Sequence, residues 1–402
     1  MPIRPLTSVM VIIALVMPAT AQTQYTFNPI ATTGTGSGFA GLFPPQINQL
    51  GSVAFGATLT SGNTPNPQGI FVGTQGVVVP IAQNPVGSAF TGFNFPPGPI
   101  VAAINPGSNM TAFFASRTAA QGGGVGIFTS DSISTSTIAA TGAGFTNFGI
   151  GVDINGSTPF NVAFTGSTAT GQGVFIGAPG ATPTTAASTA GGFFNSFSGA
   201  VAINNSGQTS FSAGKTAGGS GIFRFTPSTL ATTPIAQSGG AFLGFGGPSD
   251  IDNSGRVAFL ASLTAGGFGI FRGDGNVIDT IATSANGFTT FGDAPSINNL
   301  GNVVFAANLV GGGQGIFTGP NVITNKVIRT GDTLAGSTVV SVALASGAFN
   351  DLGQVAFAAA LADGRQGVFV AIPVPEPASV LLIAGTALAA GGWWRRRRFP
   401  AS

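Results

Sequence analysis

One short pattern recurs seven times along this chain and limits the folds open to it. Its clearest copy is Ile297-Asn298-Asn299-Leu300-Gly301-Asn302-Val303-Val304-Phe305, and Gly315-Ile316-Phe317 follows, twelve residues separating the two Phe positions. Six relatives carry leading and closing anchors at Phe55 and Phe71, Phe113 and Phe128, Phe164 and Phe175, Phe211 and Phe223, Phe259 and Phe271, and Phe357 and Phe369. The last four copies keep the twelve-residue interval, while the second and third hold one and two extra residues in the first turn. A recurring period of this length signifies stacked or ringed units, each too small to bury its own apolar face.

The chemistry of the unit is turn chemistry. Asn at the head of Asn-x-x-Gly, or Asp252 in one copy, bonds its own backbone two residues on, and Gly51, Gly207, Gly255, Gly301 and Gly353 supply the positive φ that closes a tight turn. Val and Phe two residues apart, such as Val257 with Phe259, then share one buried face of the next strand. Gly-rich runs such as Gly311-Gly312-Gly313 give the following hairpin loop. Most hairpins are preceded by a short apolar segment, as in Pro29-Ile30-Ala31, Pro80-Ile81-Ala82 and Pro234-Ile235-Ala236, with a degenerate version near Ala186. A segment with Phe residues three apart, Phe242 and Phe245 or Phe288 and Phe291, completes the unit.

Each unit thus holds four short strands, and successive leading Phe anchors lie 46 to 58 residues apart. Seven such units predict an all-β, seven-bladed β-propeller of four-stranded repeats of about 50 residues. An open solenoid is the competing architecture, but its repeats are shorter and its ends require atypical polar caps. The first and last units here look ordinary, which favours a ring. Closure then requires residues 26–43 to pair with, or lie against, residues 353–369.

Composition removes whole classes of chemistry. The sequence has no His and no Cys, which eliminates Ser-His-Asp and Cys-His nucleophile systems, His- or Cys-based zinc sites and disulfides. Phe, with 35 copies against one Tyr and two Trp, is the expected core filler. Abundant Gly, Thr and Ser with few Lys or Glu favour strands and turns over helices. Between residues 22 and 372 there are 8 Lys and Arg against 10 Asp and Glu, a balance of −2. Such a body has no basic stripe to neutralise phosphates, so nucleic acid is not an expected partner.

The two ends read differently from the body. Arg4 precedes an apolar stretch over residues 9–17, and Ala19-Thr20-Ala21 has the small-x-small form that signal peptidase accepts, which puts the expected mature start at Gln22. At the other end Val374-Pro375-Glu376-Pro377 leads into residues 378–394, an uncharged run ending in Trp393 and Trp394, and then Arg395, Arg396, Arg397 and Arg398. Seventeen helical residues reach about 25 Å, slightly short of a hydrocarbon core of about 30 Å. Paired indoles beside arginines fit a membrane boundary with the C-terminus in the cytoplasm. The rival readings are an ordinary tail anchor and a C-terminal core helix, and four consecutive arginines do not enter a core without partners.

This tripartite tail resembles the PEP-CTERM sorting signal. The resemblance implies recognition by a membrane-embedded exosortase, a cut near Pro375, Glu376 and Pro377, a transient stay in the inner membrane, and delivery to the cell surface or exterior. These residues form a processing site on a substrate, not a catalytic one. The expected organisation is a signal peptide at 1–21, a seven-repeat propeller at 22–372 and a sorting tail at 373–402. The repeat itself is similar to the bacterial tandem-repeat class written N-x-x-G-x-x-x-F, over most of residues 25–372.

Candidate sites are few. Asp250-Ile251-Asp252-Asn253-Ser254-Gly255 is faintly similar to calcium loops, but it lacks the later bidentate Glu, and apart from Asp153 its sister copies have Ala, Ser or Gln at the first position. A turn cap is the stronger reading. A glycosidase needs two carboxylates roughly 5 to 10 Å apart, and the spacing of Asp274, Asp279, Asp293 and Asp332 selects no pair. Gly34-Thr35-Gly36-Ser37-Gly38 lacks a following helical pattern and reads as turn, not phosphate loop. The expectation is an exported, non-enzymatic envelope or matrix protein without cofactor or metal, associated with extracellular polysaccharide. The alternatives are a polysaccharide-acting propeller enzyme and a lectin-like binding module.

Overall fold

The computed structural model describes residues 23–61, 67–85, 87–93, 101–292 and 294–374. The expected signal peptide with Ala19 and Ala21, the motif residues Pro375, Glu376 and Pro377, the arginines 395–398 and Asp293 lie outside the described residues. The chain forms a seven-bladed β-propeller of antiparallel sheets, with three short 3-10 turns as its helical content among the described residues.

Blade 5 shows the plan. Phe242–Ile251, Val257–Leu263, Phe268–Gly273 and Ile278–Thr283 pair in that order. The turn 252–255 joins the first two strands and the turn 274–277 the last two, so both lie on one face of the ring, called here the Asn-turn face. Blades 3 and 4 repeat the plan, beginning at Phe145–Ile154 and Phe194–Ile203. In blades 1, 2 and 6 the first strand is split in two, as Phe39–Leu42 with Gln46–Ile47 in blade 1.

The apolar segments sit differently from their reading in the sequence. Pro80-Ile81-Ala82 does not open the next hairpin but lies in Val77–Gln83, the fourth strand of the hairpin before it. A turn of a few residues returns the chain antiparallel along the sheet it has just built, whereas reaching the next blade needs a longer crossing. Phe71 pairs Pro80 and Ile70 pairs Ala82, so Ile81 is the extra residue of a β-bulge. Pro29-Ile30-Ala31 has no earlier hairpin to complete. Its strand Gln24–Thr32 instead pairs Gln366–Val374, Phe369 facing Pro29 and Val368 facing Ala31, with the same bulge at Ile30. The N-terminal strand is therefore the fourth strand of blade 7, and the ring closes.

The Phe anchors explain the unit's period. In all seven blades leading and closing Phe are direct cross-strand partners, with ring centroids 5.7 to 6.2 Å apart. Phe242 packs edge-on against Phe271 at 5.0 Å and Phe245 against Phe259 at 5.8 Å, which is why the first strand spaces its Phe residues by three. A Gly stands two residues before every closing Phe because a Cβ there would lie within 3.0 Å of the ring, as at Gly269 and Gly367. Cores lie between sheets. Val53 and Phe55 of blade 1 pack with Ile30, Val368 and Val370 of blade 7, while Ile70 and Val72 pack with Phe113 of blade 2. All seven leading Phe side chains are fully buried, each worth roughly 3–5 kcal/mol against truncation to Ala.

Candidate functional site

The seven Asn turns converge on the ring axis and hold it together. Within each turn the side-chain oxygen accepts from the backbone: Asn204 Oδ1 takes the N–H groups of Ser206 (3.0 Å) and Gln208 (2.9 Å), and Asn350 Oδ1 those of Leu352 (3.1 Å) and Gln354 (3.0 Å). The glycine of the turn, as Gly207 at φ +75° and Gly353 at φ +75°, adopts the left-handed conformation that closes it. The other half of the amide reaches round the ring. Nδ2 of Asn105 donates to Asn155 O (2.6 Å), Asn155 to Asn204 O (3.1 Å), Asn204 to Asp252 O (2.9 Å), Asn298 to Asn350 O (3.1 Å) and Asn350 to Asn48 O (3.1 Å). Asn48 donates instead to Ser108 O (2.9 Å) in blade 2.

Asp252 has no amide N–H to give. Arg256 takes over, its Nε donating to Asp252 Oδ2 and its Nη2 to Asn299 O (3.3 Å), so the link from blade 5 to blade 6 survives. Asp252 Oδ1 meanwhile accepts from Ser254 and Arg256 N–H at 2.9 Å each, which is turn capping. The next residue in each turn adds a second circle. Backbone N–H of Gly156, Asn205, Asn253, Asn299 and Asp351 donates to a side-chain oxygen one blade on, ending at Gln49 Oε1. Gln49 N–H then donates to Pro106 O at 3.0 Å.

Inside these circles lies an axial cavity of about 110 Å³ to which all seven blades contribute. Asp153 and Asp250 line it, and among the described residues no Lys or Arg does. Both occupy the position two before the turn Asn or Asp, as do Gln46 and Ser296, and this position bridges neighbouring first strands. Gln46 Oε1 accepts from Ile104 N–H (3.2 Å) and Asp153 Oδ2 from Ile203 N–H (2.8 Å). Asp250 Oδ2 accepts from Ser296 Oγ–H (2.8 Å), Ile297 N–H (2.9 Å) and Gly347 N–H (3.2 Å), spanning blades 5, 6 and 7.

Burial dominates the acidity of both carboxyls. Asp153 is pushed up to about 8 by loss of solvent and, more weakly, by the nearby Asp250, against the opposing bond from Ile203 N–H. Asp250 is raised by the same burial against its four backbone and side-chain donors. Near neutral pH Asp153 therefore carries a proton, and the pair acts as hydrogen-bonding struts between blades.

The other acids stay apart. Asp332 accepts from Lys326 Nζ (3.0 Å) and Asp279 pairs with Arg272, while Asp274 caps the turn through the N–H groups of Asn276 and Val277. Among the described residues no three His, Cys, Asp or Glu gather to hold a metal, and no helix is long and apolar enough to cross a membrane. The uncharged run 378–394 lies outside the described residues. Val374, by contrast, is the last residue of the ring-closing strand, paired with Gln24.

The profile of the PEP-CTERM protein-sorting motif matches residues 373–398. The chain carries a PEP-CTERM sorting motif. A family of unknown function, DUF7453, matches residues 338–381, overlapping the start of the sorting motif and the last two hairpin strands. No curated protein matches the chain. Among solved structures, a prolyl endopeptidase aligns over 86% of this chain and 51% of its own at 10% identity and TM-score 0.53. Pyrococcus horikoshii acylaminoacyl peptidase aligns over 87% and 55% at 10% identity and TM-score 0.50. An oligogalacturonate lyase in complex with manganese aligns over 89% and 99% at 8% identity and TM-score 0.49. The chain spans about half the length of the two peptidases it matches, and at these identities the likeness is one of fold.

Proposed function

We propose that this chain is an exported envelope protein, sorted by an exosortase and displayed or released as a propeller with a non-enzymatic structural or adhesion role beside extracellular polysaccharide. The observation that carries the reading is the position of the sorting motif. It begins at Pro373, within the strand that closes the ring, so the address follows directly on a complete body with no intervening domain. In this reading signal peptidase cuts after Ala21, the arginines 395–398 halt the tail on the cytoplasmic side of the inner membrane, and Pro375, Glu376 and Pro377 mark the processing site. The repeats belong with the N-x-x-G-x-x-x-F tandem class. The axial carboxyl groups support a structural role, because each spends an oxygen on the backbone of the next blade.

Mass spectrometry of the secreted form tests the sorting claim: it should begin at Gln22 and end near Pro375, and P375A/E376A/P377A should leave a full-length membrane species. Intact chains retained in the cytosol would refute it. For the surface role, the purified protein should co-sediment with isolated extracellular polysaccharide without shortening it. Turnover of that polysaccharide abolished by Asp153→Asn would establish an enzyme instead.

A further inference from the structure

The Asn-turn face of the ring combines two features that the sorting reading does not use. Exposed large apolar side chains stand at the tips of its turns. Leu50, Leu300 and Leu352 occupy the same position of the first turn in blades 1, 6 and 7 and are 66%, 65% and 64% exposed. These blades are contiguous across the closure, whereas blades 4 and 5 place Ser206 and Ser254 at that position. The second turns on the same face add Ile133, Leu230 and Ile323, exposed by 91%, 74% and 66%. None of the six has a packing role in the ring.

The chain also leaves the propeller on this face. Strand Gln366–Val374 runs toward it, Ala371 pairing Val355 just past the Asn350 turn, and a Cβ on Gly353 would meet Pro373 at 3.3 Å. The exit therefore lies beside Leu352, midway along the leucine arc. Only residues 375–377 separate Val374 from the uncharged run starting at Ala378. Four residue steps reach at most about 14 Å, against a headgroup layer of roughly 5–8 Å on each side of the core, so the tail holds this face close to the bilayer surface.

We infer that the Asn-turn face is a lipid-docking surface: while the tail holds the chain in the bilayer, the leucine arc and the neighbouring turn tips rest in the outer headgroup region, and the opposite face points away. The inference rests on the membrane-anchored intermediate of the proposed function. Short apolar tips on a rigid ring enter an interface at little backbone cost, because the Asn caps already take N–H groups of these turns, those of Leu50 and Leu352 among them. Charges on this face include Arg224 and Arg272 but also Asp274, Asp279 and Asp351, so neutral lipid suffices.

The absence of Cys makes the test direct. Full-length protein is reconstituted through its own tail into phosphatidylcholine vesicles, with a single fluorophore on L300C, I323C or L352C on one face, or on V310C or L243C on the other, both of which are exposed. Headgroup-quencher lipid should reduce emission at the first three sites at least threefold more than at the last two. Equal quenching on both faces, or none, in vesicles that still float with the protein overturns the docking face and leaves the sorting reading intact. Failure of the chain to float at all sinks both. Quenching contrast that vanishes on dilution of protein in lipid reports contact between copies and overturns the lipid assignment. The triple variant L300S/I323S/L352S should abolish the contrast of a probe on Leu50→Cys while leaving flotation unchanged.

Discussion

The axial carboxyl of Asp153 makes the stability of this protein a function of pH in a window where little else titrates. Its folded-state value of about 8 stands above the ordinary 3.8, so between these values the native state holds a proton that the unfolded chain has released. Stability is then fully present below the unfolded value and is lost as pH rises through the folded one. At about 1.4 kcal/mol per unit, the loss between pH 5 and pH 8 is roughly 4 kcal/mol, or about 6 °C in Tm for a ring of ~350 residues. The chain has no His and no Cys, so no other side chain has its ordinary value there. Asp153→Asn keeps an acceptor for Ile203 N–H and removes the ionisation. Calorimetry or circular dichroism should therefore show a falling Tm from pH 5 to 8 in the parent and a shallower profile in D153N. Both Trp residues lie in the tail, so indole fluorescence does not report on the ring. A parent profile flat across this range, or a D153N slope equal to the parent's, would falsify the claim that Asp153 is neutral in the folded ring.

The circle of turn amides predicts that Asn350→Asp, which keeps the cap but loses the donor to Asn48 O, costs about 2 kcal/mol in denaturant unfolding. Arg256→Ala should cost about 3 kcal/mol by stranding the buried Asp252, and D252N/R256A should recover most of that loss, because an amide restores the pattern of the other blades; no recovery refutes the substitution of Arg256 for an amide. Gly269→Ala places a Cβ 2.7 Å from the Phe271 ring and should lower stability by about 1–3 kcal/mol, measurable in urea. Removing residues 1–32 should expose the edge of Gln366–Val374 and produce aggregation or loss of a cooperative melt, whereas removing residues 375–402 should leave Tm unchanged.

The period, the strand count and the closure were readable because each blade repeats the same physical requirements: a capped turn, a Val and Phe on one face, and a Gly clearing space for the second Phe. Even the ring-closing strand is marked by Pro29-Ile30-Ala31, a fourth-strand segment lacking a hairpin of its own. Local pattern does not distinguish a strand that completes the previous sheet from one that begins the next. The axial pair was less accessible. Asp153 and Asp250 lie 97 residues apart, and only ring geometry brings two distant blades to one axis. Their shared register, two positions before the turn cap, is the available sign: Gln46 and Ser296 at the same register also bond between blades, one accepting from Ile104 N–H and the other donating to Asp250, while Ala103, Ala202 and Ala348 hold it in the other blades. The local pattern points only to the oxygen of the turn Asn. Its nitrogen works between blades, so one copy of the motif in isolation says nothing of it.

The seam in blade 7 has a temporal consequence. Thr33 and Gln366, bonded to each other, are 333 residues apart, so the earliest part of the ring waits for the latest. At ordinary synthesis speeds of roughly 5–20 residues per second the two partners are made tens of seconds apart, and until both are in place the ring keeps an unmatched edge. A chain released early shows the same open gap as one whose first strand is damaged. Because the residues that shut the gap run straight into the address label, the label emerges only on chains whose body is already long enough to be whole.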